Sequence, residues 1–397
     1  MRILTITRLY PNAIMPNHAI FVENRLRKIV ATGRVSARVL APVPWFPSRN
    51  SCFGVYASYA SVPHEEERHG LLISHPRFLV IPKVGLNLQP ASYLKAVRRS
   101  VEKLKDFDFD LIDAHYLFPD GVAAGMLARE LGKPVVITAR GTDLNLIATL
   151  PGPDRQIRAA LGAADGVITV SNALGERARQ LGVTADRLAV LPNGVDTEVF
   201  RPVEGAKWRA LAPGAKAIIV SVGNLIPLKG HDLVIRALAG LDGVHLLIAG
   251  VGPESARLSA LAARLGLADR VHLLGAVGHE DLAGVYSAAD VLVLASEREG
   301  WPNVLLEAMA CGTPVAATRV GGIPEIVTTR AAGKLCDRSP EALASAVQDL
   351  LVNRPSREAV RAHAQQFGWN DTVARQIAFY ETVIERARGP QRLRASG

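Results

Sequence analysis

The chain has few cysteines, no long apolar run and no clusters of basic and aromatic residues, and each shortage removes a class of function. Only Cys52, Cys311 and Cys336 occur among 397 residues. They show no paired spacing, so neither a disulfide framework nor a zinc site is expected, and a reducing, cytoplasmic compartment follows. No apolar stretch reaches the roughly 18–20 residues of a spanning helix. The opening MRILTITRLYP has a short apolar stretch broken by Arg8, too brief for the core of a secretory leader. It reads as a first buried strand. Without basic runs interleaved with aromatics, no nucleic-acid partner is expected. No internal repeat is visible.

What is present is enough apolar material for two cores. The chain is 49% hydrophobic and 21% charged, and its length exceeds the roughly 250–300 residues at which one core stops growing. A net charge of +9 and a pI near 9.7 suit an anionic substrate or an anionic membrane surface. An arginine-rich composition with no functional meaning gives the same charge.

Short apolar runs alternate with helical patterns, which predicts parallel sheets with crossover helices. The first series of strands is expected at Arg2–Thr7, Ala37–Ala41, Leu111–Ala114, Val135–Thr138, Gly166–Val170 and Leu188–Leu191, with helices such as Ile20–Ala31, Tyr93–Lys105 and Gly121–Leu131. The stretch from Pro42 to Pro90 reads as irregular. PNGVDTEVFRP, beginning at Pro192, combines turn residues with a proline stop and reads as a linker. A second series follows at Ala217–Val222, Val244–Ala249, Val271–Leu274, Val291–Ala295 and Val315–Ala317. Phe367–Arg386 carries apolar positions near helical spacing. The domains are therefore drawn at 1–197 and 198–369, with a C-terminal helix at 370–390 completing the first and a disordered tail at 391–397.

The most informative segment is SEREGWPNVLLEAMACGTPV, from Ser296 to Val315. Glu299 and Glu307 stand eight residues apart around a Gly-Trp-Pro-Asn turn. Pro302 suits the first helical position, where its missing N–H costs nothing. Glu299 would then lie in the loop before the helix and Glu307 on it, with the N–H groups of Asn303, Val304 and Leu305 pointing out of the helix end as an anion site. Such an arrangement suits a ligand carrying both phosphate and hydroxyls, as a nucleotide sugar does.

This segment closely resembles the glutamate-x7-glutamate signature of family 4 of the retaining glycosyltransferases, the group 1 glycosyltransferases. The resemblance runs from ITRLYPN to the last helix and is strongest from Asn193 to Val327. It implies the GT-B architecture, an α/β fold of two doubly wound Rossmann-like domains facing across a cleft. It also implies transfer of a sugar from a nucleotide diphosphate donor to a hydroxyl acceptor, with retention and without a metal or other cofactor. In the family the first Glu contacts the transferred sugar and the second holds the ribose, which assigns those roles to Glu299 and Glu307. Lys229, in VGNLIPLKG, would hold the diphosphate after the turn at Gly223. The family's usual arginine is replaced by Asn224, so Arg298 or Arg140 is a candidate for the missing charge. Gly252, in IAGVGPE, falls in the base-binding loop.

On the acceptor side, His115 in FDLIDAHYLFPDG matches a histidine that contacts the donor sugar, and Arg140 takes the place of the histidine in the family's His-Gly-x-Asp turn. Asp143 either orients the acceptor or caps a helix. His18, in PNHAIFVENRLR, occupies the turn where the family has a glycine loop, and this stretch most resembles the teichuronic-acid and exopolysaccharide branch. The acceptor implied is a lipid-linked or growing glycan of a bacterial surface polysaccharide. Arg25, Arg27 and Lys28, and Lys95, Arg98, Arg99, Lys103 and Lys105, form either solvated helix faces or a dock for anionic lipid on the inner face of the membrane. DFDFD at Asp106–Asp110 precedes a strand and reads as an entry loop. His64 and His69 are five apart, not the four a helical zinc site needs, and no metal is expected. An epimerase of the same fold, or a non-catalytic nucleotide-sugar-binding assembly partner, is the alternative.

Overall fold

The computed structural model describes residues 1–81, 85–104 and 106–395, with side chains described as far as Gly389. Its chain forms two compact units, one of residues 1–192 and 370–397 and the other of Asn193–Trp369.

The first unit is built on an eight-stranded sheet. Its order is Leu188–Val190, Gly166–Thr169, Val135–Ala139, Leu111–His115, Arg2–Ile6, Ser36–Leu40, Leu71–Ser74 and Glu65–Arg68. All neighbours pair in parallel except the last two, which form an antiparallel edge. Every residue of Leu111–His115 and Val135–Ala139 is buried, as expected of central strands covered by helices on both faces. The C-terminal helix Trp369–Ala395 belongs to this unit. It buries Val373, Ile377, Tyr380 and Ile384 at alternating spacings of four and three, which lines up one helical face. The tail expected from 391 is described as helix backbone to Ala395, and residues 396–397 lie outside the described residues.

The stretch from Pro42 to Pro90 is not irregular. It holds strands Val43–Pro44, Glu65–Arg68, Leu71–Ser74 and Arg77–Phe78 and helix Val55–Ser61. These strands are short or charged because they lie in a separate ribbon or at the sheet edge, so they lack the apolar runs that mark central strands. The histidine-flanked HEEER is one of them. Its Arg68 donates to the buried Glu23 at 2.7 Å, and its Glu66 bonds His75 at 2.6 Å.

The second unit carries six parallel strands in the order Val271–Gly275, Val244–Ala249, Ala217–Val222, Val291–Leu294, Val315–Thr318 and Gly333–Cys336. One apolar core joins the sheet to helices His231–Leu238, Ser255–Arg264 and Pro340–Val352. Each fully buried Leu or Val contributes roughly 1.5–3 kcal/mol of burial. Ser339 starts the last of these helices by accepting the Ala342 N–H at 3.1 Å, the usual work of an N-cap hydroxyl.

Candidate active site

In each unit the strand order reverses beside the first strand of its sheet. Ligands of open parallel sheets bind outside the strand carboxyl ends at such a point. In the second unit the reversal lies between Ala217–Val222 and Val291–Leu294. The loops that leave these strands carry Lys229 and Glu299, which the structure brings together. Lys229 Nζ donates to Glu299 Oε1 at 2.5 Å and Ser296 Oγ donates to the same oxygen at 2.7 Å. Among the described residues no protein group bonds Oε2. The two loops are tied by the Glu297 N–H to the Leu228 carbonyl at 2.9 Å.

Gly250 and Gly321 make close backbone approaches here that exclude a side chain. Gly250 has φ +154°, and a Cβ on it would lie 1.9 Å from the Gly223 carbonyl oxygen. Gly321 has φ +52°, and its Cβ would lie 1.8 Å from the Glu299 carbonyl oxygen. Sequence reasoning passed over Gly321, whose contact is formed only when the loop after Val315–Thr318 folds back on Glu299.

The helix bearing the second glutamate starts one residue later than expected. Pro302 precedes it in an extended conformation, and the helix spans Asn303–Ala310. Leu305 N–H donates to the Pro302 carbonyl at 3.2 Å, so it is not a free donor. The N–H groups of Asn303 and Val304 find no acceptor among the described residues. Glu307 is partly exposed and accepts from Tyr286 Oη at 2.9 Å. Burial pushes its carboxyl up to about 7, against the lowering effect of the Tyr286 bond.

Asn224 is exposed, and its carbonyl accepts the Ile226 N–H at 2.9 Å. Gly252 packs on Leu225, whose N–H donates to Val251 at 2.9 Å; a Cβ on Gly252 would meet the Leu225 oxygen at 2.4 Å. Arg298 pairs with Glu297 at 3.7 Å. His231 was not anticipated. It is buried under the Gly223–Lys229 loop, bonds Ser221 Oγ at 2.9 Å, and is lowered to about 4, chiefly by burial. It is therefore neutral at pH 7, and the LKGH motif was its only sequence signal.

In the first unit the reversal lies between Arg2–Ile6 and Leu111–His115. His115 ends the second of these strands and is buried. Both ring nitrogens are engaged, Nε2 with Asp113 Oδ2 at 3.0 Å and Nδ1 with an Arg140 guanidinium nitrogen at 2.7 Å. Burial, Arg140 and Arg25 hold its pKa below the ordinary histidine value, while Asp113 acts the other way. Arg140 is partly exposed and stacks over Phe21, 5.4 Å from the ring centre. Asp143 is wholly buried. Its carboxylate accepts the N–H groups of Arg140, Gly141, Leu144 and Leu117 at 2.7–3.1 Å. Asp143 lies in the first turn of the helix Thr142–Asn145, whose N-cap position is Gly141, and ties this loop to Leu117. His18 is exposed in the turn before Ile20–Val30.

Of the basic group on that helix, Arg25 has no part in a solvated face, being only 1% exposed, whereas Arg27 is exposed and Lys28 partly so. Arg98 is paired in a two-pronged contact with Glu130, and Lys105 lies outside the described residues. Asp108 and Asp110 sit at the strand-entry end and pair with Lys133 and Arg388.

Two family descriptions match this chain, Glycosyltransferase Family 4 over residues 54–199 and Glycosyl transferases group 1 over residues 204–367. A D-inositol 3-phosphate glycosyltransferase of Acidothermus cellulolyticus is 34% identical over 78% of this chain and 75% of its own. The chain belongs to the group 1 glycosyltransferases. A second relative of the same description, from Mycobacteroides abscessus, is 35% identical over 79% of this chain and 74% of its own. The teichuronic-acid branch suggested by the N-terminal motif finds no support in these relatives.

The fold is GT-B. Sucrose-phosphate synthase of Thermosynechococcus elongatus superposes with a TM-score of 0.80 at 23% identity, over 97% of this chain and 100% of that one. Anabaena HepE, solved in complex with UDP-glucose, gives 0.70 at 21% identity, over 97% and 99%.

Proposed function

We propose that this glycosyltransferase takes a nucleoside diphosphate sugar as donor and moves the sugar, with retention and without a metal, to a hydroxyl acceptor. One observation carries the reading: Lys229 and Glu299 meet at the switch point of the second unit, next in sequence to a helix end whose Asn303 and Val304 N–H groups lack acceptors among the described residues. As the glycosidic bond breaks, negative charge grows on the leaving diphosphate. Fixed donors aimed at it lower the barrier, each typically by about 10²–10³ in rate. Lys229 and the two N–H groups fill that role. Glu299 holds Lys229 in place and offers Oε2 to the sugar and its developing positive charge. Glu307 takes the ribose hydroxyls. The leaving phosphate accepts the acceptor proton, the family's front-face route. HepE, a structural neighbour, was solved with UDP-glucose, which favours a UDP-sugar as the first donor to try.

Two acceptor classes each have an observation behind them. The relatives' described activity favours a phosphorylated cyclitol. A lipid-linked glycan is favoured by the surface of the first unit. Residues 42–63 and 69–101 contain no Asp or Glu, while Trp45, Phe53, Val55, Tyr56, Leu79 and Ile81 are exposed, a combination that suits anionic lipid. The test is nucleotide release from a donor panel with either acceptor added. Acceptor-dependent release identifies a transferase and its class. Release without any acceptor favours the epimerase-type reaction, and nucleotide binding without release favours an assembly partner.

A further inference from the structure

The second unit sets a cation and a carboxylate on the two loops that leave its strands at the reversal, and the first unit repeats the arrangement. There the loops after the neighbouring strands Arg2–Ile6 and Leu111–His115 carry Arg8 and Asp120. The Asp120 side chain is fully buried, whereas that of Arg8 is 32% exposed. Asp120 Oδ1 accepts the Arg8 N–H at 2.5 Å and the Tyr93 hydroxyl at 3.0 Å. Oδ2 has no hydrogen bond among the described residues and faces Arg8 Nε at 3.5 Å. Burial pushes this carboxyl up to about 6 against the pull of Arg8, which leaves it largely ionised at neutral pH. Thr7 Oγ1 accepts the Leu9 N–H at 2.9 Å and so turns the chain at Arg8.

The Arg8 guanidinium lies over the Tyr116 ring, 5.2 Å from its centre, and its Nη2 reaches the Phe118 carbonyl at 3.5 Å. Tyr116 holds φ +80°, a costly conformation for a bulky residue that persists only where its surroundings fix it. Among the described residues no protein group bonds Arg8 Nη1. The contact with Asp120 Oδ2 is longer than the roughly 2.7–2.9 Å of a charge-assisted bond, so the carboxylate steadies the guanidinium without using up its fork. Arg140 bonds His115, the residue before Tyr116, which brings a second guanidinium to the same strand end. A planar fork of donors matches phosphate oxygens two at a time. Both acceptor classes above carry phosphate, one on its ring and the other where glycan joins lipid. We propose that Arg8, steadied by Asp120 and Tyr116, binds the acceptor's phosphate group and thereby selects the acceptor. That the anion belongs to an acceptor rests on the reading above. The anion site itself does not.

The experiment is calorimetric titration of D-inositol 3-phosphate and of a short-chain lipid diphosphate sugar, each with and without UDP, and of unphosphorylated inositol as the neutral control. The proteins are the wild type, Arg8→Gln, Arg8→Lys and the double variant Arg8→Gln with Asp120→Asn. Removing one partner of a buried ion pair is strongly destabilising, so Arg8→Gln alone can fail to fold. The double variant removes both charges and keeps an oxygen for the Arg8 and Tyr93 donors. The wild type should bind at least one phosphate-bearing probe and bind unphosphorylated inositol far more weakly. Binding of the inositol phosphate names a free cyclitol phosphate, and binding of the lipid diphosphate alone names a lipid-borne one. In Arg8→Gln and in the double variant that affinity should fall about tenfold or more, Arg8→Lys should recover only part of it, and UDP affinity should stay within about twofold. No binding of either probe to the wild type would overturn the proposal, as would equal affinity in the double variant. A fall in UDP affinity as large as that for the probe would move Arg8 to the donor and overturn it too. Probe binding in a wild type that binds no nucleotide would strike the donor reading and leave the anion site standing.

Discussion

The two units solve the same topological problem in opposite ways. Both place charged side chains where the strand order reverses, beyond the carboxyl ends of a parallel sheet. In the second unit those groups keep unused capacity. Among the described residues, Glu299 has an open oxygen, Asn303 and Val304 keep unpaired N–H groups, and Glu307 is partly exposed with one hydrogen bond. In the first unit His115 and Asp143 spend theirs internally, with both nitrogens of the one and the whole carboxylate of the other bonded to protein, while Asp113 Oδ1 and Thr138 Oγ1 are buried without a partner among the described residues. Spare hydrogen-bonding capacity marks where a ligand can be received, and spent capacity marks what holds a ligand-facing group steady.

The sharpest way to break that contrast is to remove the open groups. Glu299→Gln and Lys229→Ala should each lower turnover by about 10²-fold or more, with nucleotide binding surviving in the first. Turnover within twofold of the parent in both would remove the site from the second unit's switch point. Gly321→Ala comes next. A Cβ placed 1.8 Å from the Glu299 oxygen must displace the loop, and turnover should fall by about tenfold or more while circular dichroism stays native. An unaffected rate would mean the Glu299 backbone position is unimportant.

In the first unit the expected loss is in stability rather than turnover. Asp143→Ala strands the three backbone N–H groups of Leu117, Arg140 and Gly141, at about 1–3 kcal/mol for each buried donor left unsatisfied, so denaturant unfolding should show a total loss of several kcal/mol. A loss below 1 kcal/mol would mean the turn finds other acceptors.

The smallest effect concerns pH. The Glu307 carboxyl, at about 7 in the folded chain, binds a proton more tightly than in the unfolded chain. Its contribution to stability is therefore fully present below the ordinary Glu range and is lost as pH rises through about 7. Melting of the second unit should shift downward between pH 5 and 8, and Glu307→Gln should flatten that dependence. Nucleotide affinity should move the other way, rising as the carboxylate ionises and becomes an acceptor for two hydroxyls. Identical pH dependence in the variant would contradict the burial argument.

The GT-B fold was legible because central strands such as Ala217–Val222 and Val244–Ala249 are uninterrupted apolar runs, and the Glu299–Glu307 segment announces its turn chemistry. Edge strands such as Glu65–Arg68 were missed because an edge strand has no buried face to impose a pattern on it. Lys229 and Glu299 could be named from the sequence, but their direct pairing could not, since it depends on two loops seventy positions apart. Arg25 was misread because a helix surface and a buried network use the same residue, and only the burial distinguishes them. Gln376 left no local signal, as its partner Arg25 lies on Ile20–Val30.

The most direct test of the central claim is calorimetric titration of UDP, GDP and ADP, with EDTA present, into the wild-type chain and into Lys229→Ala. The account predicts that one nucleotide binds the wild type and that its affinity falls by about tenfold or more in the variant, as expected for losing a cation that meets phosphate. Equal affinity in both proteins would place the nucleotide away from Lys229 and contradict the account.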